Sequence, residues 1–83
     1  MKVGDKFTRT GTAWDEGGTV YFQTCEVLKC GPKMALLRIT SEFEVNGETV
    51  TRTHDDKAYR DKWVNDGPPL WFGYLRSQWV AAE

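Results

Sequence analysis

The only histidine of the 83-residue chain, His54, is the side chain best suited to acid–base chemistry. It precedes Asp55 and Asp56, and a carboxylate beside an imidazole can orient that imidazole as a general base. A nucleophilic triad would also need Ser41 or Ser77, and neither serine lies in the sequence of a nucleophile elbow. We therefore interpret His54 as an exposed residue at a strand end.

Two cysteines, Cys25 and Cys30, are the other reactive side chains. With His54 they would give zinc three ligands, but a fourth ligand and the CxxC spacing of structural zinc sites are missing. On a continuous strand the two cysteines would point to opposite faces, so a disulfide between them would require a bulge. We predict reduced, partly buried thiols, with no metal and no other cofactor.

No further motif supports catalysis. Three glycines, Gly11, Gly17 and Gly18, have neither the Walker nor the dinucleotide-binding spacing. The acidic pairs Asp15-Glu16 and Asp55-Asp56 are explained by turns and helix caps. The sequence therefore predicts a protein that is not an enzyme.

The charge balance restricts the function further. The chain has 11 basic and 12 acidic residues and a net charge of -1, whereas proteins dedicated to binding a phosphate backbone usually carry a basic excess. No run of about 18 apolar residues is present, and residues 1–6 lack the apolar stretch of a secretory signal. We predict one small globular domain over residues 1–83, located in the cytoplasm.

The element that must position any site is the stretch Met34 to Thr53. Apolar and polar side chains alternate in its first half, which predicts a strand with one buried face. The apolar set is Ala35, Leu37, Ile39, Phe43 and Val45. Asn46-Gly47 then predicts a two-residue hairpin turn, because both positions need positive φ. The resulting register places Phe43 opposite Val50 on the apolar face.

Two more strands are predicted before this hairpin. The first covers Lys2 to Thr10, with Val3 and Phe7 as inward anchors. The second covers Thr19 to Cys30 and is rich in β-branched and aromatic residues. Its alternation is imperfect, so either both faces are partly covered or a bulge near Thr24 to Glu26 shifts the register.

The pattern changes after the hairpin. Asp55 to Val64 predicts a helix of two to three turns, because Tyr59 and Trp63 lie four residues apart and Asn65-Asp66-Gly67 is a typical stop. The last segment, Pro68 to Val80, is compatible with a helix or a strand, and we favour the helix.

These elements predict a mainly β fold, a small antiparallel meander or a partly closed barrel of about five strands with a short C-terminal helix. The order of strand, long loop, three-strand meander and helical crossover is similar to the layout of SH3-like barrels. Partial closure would remove costly open edges. The alternative is an α+β fold in which the C-terminal helix packs on one face of an antiparallel sheet.

Two features could bind a partner. The first is an acidic hairpin, which could meet a basic surface and contains Glu42, Glu44 and Glu48. The second is an aromatic C-terminal segment with more rings than one face can bury, and Trp, Tyr and Arg dominate interface hot spots. Its candidate binding residues are Trp71, Phe72, Tyr74, Arg76 and Trp79.

We therefore expect a protein-binding adaptor or inhibitor, of the kind found among small phage accessory proteins. Another protein is the expected partner, and a homodimer through the same aromatic surface is a related possibility. The alternative is a small barrel that binds single-stranded nucleic acid by aromatic stacking. Its basic residues would be Lys29, Lys33, Arg38, Arg52, Lys57, Arg60 and Lys62, which are interleaved with acidic ones.

Overall fold

A computed structural model of the chain describes residues 1–12, 18–69 and 77–82. The strands are β1 (Lys6–Thr12), β2 (Val20–Cys30), β3 (Met34–Val45), β4 (Glu48–Tyr59) and β5 (Val80–Ala81). They form one antiparallel sheet in the order β4-β3-β2-β1-β5. The predicted mainly β meander is confirmed, and the sheet is open and does not close into a barrel.

The β3–β4 hairpin has the register that the sequence predicts. Asn46 and Gly47 have φ angles of 52° and 80°, and they form the two-residue turn between Val45 and Glu48. Pairing then continues without a shift as far as Met34 and Tyr59. Long, uninterrupted pairing of this kind fixes which side chains share a face, because neighbours along a strand alternate between faces.

One end of the sheet carries the hydrophobic core, and we call it the core end. Its buried apolar side chains lie on the inner face and are Cys25, Val27, Ala35, Leu37, Ile39 and Ala58. Partly buried residues pack against them, including Phe7, Trp63 and Trp79. Pro68 and Pro69 are also fully buried. The core therefore combines the sheet with chain segments that follow β4.

The other end of the sheet, residues 20–22 and 42–51, extends beyond this core, and we call it the hairpin end. A strand of twelve residues spans about 41 Å, which agrees with the longest dimension of 42 Å. Val45 has the same strand parity as Leu37 and Ile39, yet its exposed fraction is 46% while theirs is zero. The alternation of inward-facing side chains in β3 therefore continues beyond the part of the sheet that the rest of the chain covers.

The predicted helix over Asp55 to Val64 is wrong for most of its length. Strand β4 runs to Tyr59, and only Arg60–Lys62 forms a single 3-10 turn. Pairing of Ala58 with Ala35 buries both side chains. The strand pairing and the burial of Ala58 outweigh the local helix propensity of residues 55–64, which is weak.

The predicted helix stop is a tight turn instead. Asn65 and Asp66 have φ angles of 51° and 59°, and they lie between Val64 and Gly67, which form an isolated bridge. Each of the two bridging residues donates its backbone N–H to the other's carbonyl oxygen, at 3.1 and 2.9 Å. This turn leads the chain into the two buried prolines.

The first strand begins later than predicted, at Lys6. A turn precedes it, in which the Asp5 N–H donates to the Lys2 carbonyl at 3.0 Å and Gly4 has a φ of 88°. The prediction that Val3 is an inward anchor is wrong, because its side chain is 64% exposed. The prediction for Phe7 is confirmed, since it packs against the core.

The bulge in β2 is displaced from its predicted position near Thr24 to Glu26. The β2–β3 register shifts between Val27 and Lys29, so that Leu28 is the additional residue. After it, Cys30 pairs with the buried Ala35. Both cysteines are therefore on the inner-face side of the sheet, and both are free thiols.

The ambiguous segment Pro68 to Val80 is described only in part. Residues 70–76 lie outside the described residues, so the helix favoured for them stays a prediction. At the end of the segment, Val80 and Ala81 form the short edge strand β5, which pairs with Thr8 and Phe7.

Candidate functional site

A row of polar side chains crosses the inner face next to the core. The Arg9 Nε donates to Gln23 Oε1 at 2.7 Å, and the Gln23 Nε2 donates to Ser41 Oγ at 2.9 Å. All three residues are buried. Burial lowers the pKa of Arg9 to about 10, which leaves the guanidinium charged at neutral pH. Hydrogen bonding of this kind is what makes burial of polar groups tolerable.

Trp79, a predicted partner-binding residue, is part of this arrangement. The Arg9 guanidinium carbon lies 4.4 Å from the centroid of the Trp79 ring. The Trp79 indole N–H donates to the Pro69 carbonyl oxygen at 3.0 Å. A cation over a ring face and a satisfied indole N–H both stabilise the fold. Trp79 therefore connects the sheet with the segment that follows β4, and its role in partner binding stays a prediction.

The other predicted residues of the aromatic segment are outside the described part of the chain. They are Trp71, Phe72, Tyr74 and Arg76. The proposal that they bind a partner therefore stays a prediction.

The acidic hairpin is described in full, and its three glutamates do not share a face. Glu42 pairs with Thr51 and Glu44 with Thr49, so both lie on the outer face of the sheet. Glu48 pairs with Val45 and has the parity of the inner face. The structure therefore brings two of the three predicted carboxylates together and separates the third.

An open groove of about 560 Å³ lies beside these two carboxylates. The exposed fractions of Val20 and Phe22 are 58% and 43%, and Phe22 pairs directly with Glu42. The lining residues are Thr19, Val20, Phe22, Glu42, Phe43, Glu44 and Thr49. We call the outer-face set Val20, Phe22, Glu42, Glu44 and Thr49 the Phe22 surface.

Sequence reasoning missed Val20 and Phe22 as candidate binding residues. Both have the parity of Thr24 and Glu26, which are on the polar outer face of the same strand. An aromatic side chain on the polar side of an amphipathic strand is the signal that could have identified them, because an exposed apolar patch often marks an interaction site.

The histidine and its neighbouring carboxylate point to opposite faces. His54 pairs with the buried Ile39, whereas Asp55 pairs with Arg38 on the outer face. The Arg38 Nε and Nη2 donate to the two carboxylate oxygens of Asp55 at 2.9 and 3.2 Å. These hydrogen bonds lower the pKa of Asp55. The hypothesis that Asp55 orients His54 therefore has no support from this geometry.

The thiols are in different environments. Cys25 is fully buried, and burial raises the pKa of its thiol to about 12. Cys30 is half-buried, and its Sγ donates to the Met1 carbonyl oxygen at 3.1 Å. Because the thiolate is the reactive form, Cys25 is poorly suited to nucleophilic chemistry. Within residues 1–12, 18–69 and 77–82, no group of three or more His, Cys, Asp and Glu side chains could hold a metal ion.

Several predicted nucleic-acid contacts are involved in contacts within the chain. Arg38 binds Asp55, as described above. The guanidinium of Arg60 lies 4.8 Å from the Trp63 ring centroid, and that of Arg52 lies 5.5 Å from the Phe43 ring centroid. The Phe43 ring also packs against Tyr21, with centroids 4.8 Å apart. This small aromatic–arginine cluster lies on the inner face of the hairpin end.

Comparison with known proteins finds no relative. No protein-family model matches the chain, and searches of curated proteins and of solved structures find no match. Among the described residues, no helix has the length and apolar character that a membrane crossing requires.

Proposed function

We propose that this chain is a non-enzymatic protein-binding protein, an adaptor or inhibitor of the small phage-accessory type that acts in the cytoplasm. It binds its partner through the Phe22 surface. One observation carries the proposal: an exposed aromatic ring lies beside two exposed carboxylates in an open groove. Monomeric proteins usually bury such rings, and those that remain exposed in a patch often mark an interface.

The chemistry of the surface defines its partner. Phe22 offers an apolar contact, and burying an aromatic ring of this size stabilises a complex by about 1.5–3 kcal/mol. Glu42 and Glu44 flank it and favour positive charge, which steers the encounter and sets the orientation. The partner segment therefore has an apolar side chain flanked by lysine or arginine. The aromatic C-terminal segment, with Trp71, Phe72, Tyr74 and Arg76, remains a proposed second contact.

Site-specific photocrosslinking tests this proposal. A benzophenone amino acid replaces Phe22 in one variant and Val3 in a matched control. Val3 is 64% exposed and lies in the turn before β1, where the Gly4 N–H donates to the Val27 carbonyl oxygen at the core end of the sheet. In native lysate, position 22 should give a crosslinked partner that position 3 does not. Crosslinks that are equal at both positions would contradict the proposal.

Charge reversal then separates specific binding from adhesion to an exposed ring. Glu42→Lys and Glu44→Lys should weaken binding of the captured partner, and Phe22→Ser should abolish it. Lys33→Glu, on the turn between β2 and β3, adds a negative charge at the other end of the sheet and should leave binding unchanged. If Phe22→Ser binds as the unmodified chain does, this surface is not the interface.

A second candidate, binding of single-stranded nucleic acid, is favoured by the cluster of Tyr21, Phe43 and Arg52. Rings beside an arginine are a typical stacking surface for bases. Fluorescence anisotropy with a labelled oligothymidylate should then show binding that weakens steeply with salt and is lost in Phe43→Ala. Absence of binding at low salt would remove this candidate.

A further inference from the structure

Strand β4 forms one edge of the sheet along its whole length of twelve residues. In the described part of the chain, no strand pairs with the side of β4 that faces away from β3. The side chains from Thr51 to Asp55 are exposed. An edge strand of this length presents a row of backbone donors and acceptors, and it can pair with a further strand.

The hairpin register identifies the backbone groups on this open side. In an antiparallel pair, hydrogen-bonded and non-hydrogen-bonded residue pairs alternate. Val45 and Glu48 close the two-residue turn and form a hydrogen-bonded pair. The Arg60 N–H donates to the Lys33 carbonyl at 2.9 Å, which continues the same series. Even-numbered residues of β4 therefore bond to β3.

The odd-numbered residues of β4 consequently direct their N–H and C=O groups away from the sheet. They are Thr49, Thr51, Thr53, Asp55 and Lys57. The even-numbered side chains of the same strand lie on the inner-face side, and Arg52 and Asp56 are two of them. These two opposite charges are four residues apart on one face of an otherwise open edge.

Opposite charges at this spacing make the edge self-complementary. When two copies of a strand pair antiparallel about a two-fold axis at one residue, residues equally far from that axis face each other. An axis at His54 places Arg52 of each copy opposite Asp56 of the other. It also leaves the odd-numbered residues of both strands in hydrogen-bonding positions.

Other registers that satisfy the backbone are less favourable. An axis at Arg52 places two arginines opposite each other, and an axis at Asp55 does the same with two aspartates. An axis at Thr53 leaves Arg52 opposite His54, without a carboxylate. Like charges directly opposite each other destabilise strand pairing. Charged residues usually protect an edge strand from pairing, but of these four registers only the one with its axis at His54 places Arg52 opposite Asp56. That axis also places the two His54 side chains opposite each other.

We propose that a second copy of this chain pairs antiparallel with β4, about a two-fold axis at His54. The two sheets then form one continuous sheet of ten strands. The Lys57 N–H donates to the Asp56 Oδ1 of its own chain at 2.8 Å. Between Thr51 and Lys57 of the two copies this register therefore forms about six backbone hydrogen bonds. Two Arg52–Asp56 pairs fix the register. The Phe22 surface, which lies on β2 and β3 and includes only Thr49 of β4, is outside residues 51–57 and is not required for this contact.

Paired charge reversals test both the contact and its register. In Arg52→Asp, two aspartates face each other across the interface at each pair, and in Asp56→Arg two arginines do. Each variant alone should weaken self-association by between about tenfold and a few hundredfold. A mixture of the two variants restores an attractive pair at both positions and should form a heterodimer as tight as the original dimer.

The measurement is sedimentation equilibrium of the full chain in low salt, over a concentration series, with circular dichroism to verify folding. Phe22→Ser serves as a control and should keep the dimer. A chain that stays monomeric at its highest soluble concentration would overturn the proposal. So would a dimer that persists in both charge-reversed variants, or folded variants that do not associate when they are mixed.

Discussion

The core end and the hairpin end of this molecule share strands β2, β3 and β4 but differ in what covers them. At the core end, Leu37 and Ile39 are fully buried, and two prolines and Trp79 come from distant parts of the chain. At the hairpin end, Phe43 is half-buried and Val45 is largely exposed, although both continue the same alternation. Amphipathic alternation thus establishes a potential inner face, and remote segments determine how much of it becomes core.

The largest expected effect separates the two ends directly. Leu37→Ala leaves a cavity in the core and should lower the free energy of unfolding by about 2–5 kcal/mol. Val45→Ala, on the same face of the same strand, should change it by less than about 0.5 kcal/mol. Urea unfolding of both variants measures the difference. Similar losses would show that the hairpin end is as well packed as the core end.

A second substitution examines the polar row at the boundary between the ends. Gln23→Leu removes the acceptor of the Arg9 Nε and the donor to Ser41 Oγ. Leaving buried polar groups without these partners should cost about 1–3 kcal/mol, measured by thermal or urea unfolding. Ser41→Ala removes one of the two bonds and is the control, with a smaller expected loss. An increase in stability for Gln23→Leu would mean that packing outweighs the polar row.

A third substitution acts at the hairpin end alone. Gly47 has a φ of 80°, and Gly47→Ala should cost about 1–2 kcal/mol because a Cβ disfavours this conformation. Because the hairpin end has little core, the loss should appear as local opening. Amide hydrogen exchange at Val45 and Glu48 should accelerate more than exchange at Leu37. Equal acceleration at all three amides would indicate that both ends unfold together.

The smallest expected effect concerns the outer face between the two ends. Arg38 lowers the pKa of Asp55 in the folded chain. A lowered folded-state pKa means that the pair stabilises the fold above the ordinary carboxyl pKa, and that this contribution disappears as the pH falls through the lowered value. Nuclear magnetic resonance titration should find the Asp55 pKa restored to its ordinary range in Arg38→Gln. An unchanged pKa would show that the hydrogen bonds do not persist in solution.

The sequence was sufficient for those parts of the fold that depend on local pattern. The β3–β4 register followed from alternation and from Asn46-Gly47, which needs no tertiary context. The helix over Asp55 to Val64 failed because pairing with β3 is a long-range effect that local spacing does not contain. Tyr59 and Trp63 are four residues apart, but they do not lie on one helix. Trp63 lies after the end of β4, and its indole N–H donates to the Ala58 carbonyl oxygen in that strand.

The candidate site was only partly predictable for the same reason. Glu42 and Glu44 were identified because their positions follow from the hairpin alone. Their neighbours Val20 and Phe22 come from β2, and the β2–β3 register determines which residues lie beside the glutamates. An imperfect alternation in β2 left that register open. The contact of Trp79 with Arg9, from the other end of the chain, has no signal in the local sequence.

The bulge at Leu28 has a consequence for how this sheet could change in length. Removing Leu28 would place Lys29 directly after Val27, and the strand would then alternate regularly, with Cys30 still opposite Ala35. Such a deletion would straighten β2 and keep every side chain on its present face. Deleting a residue from β3 would instead turn one part of that strand inside out. β2 can therefore lose Leu28 without moving its inner-face side chains to the outer face.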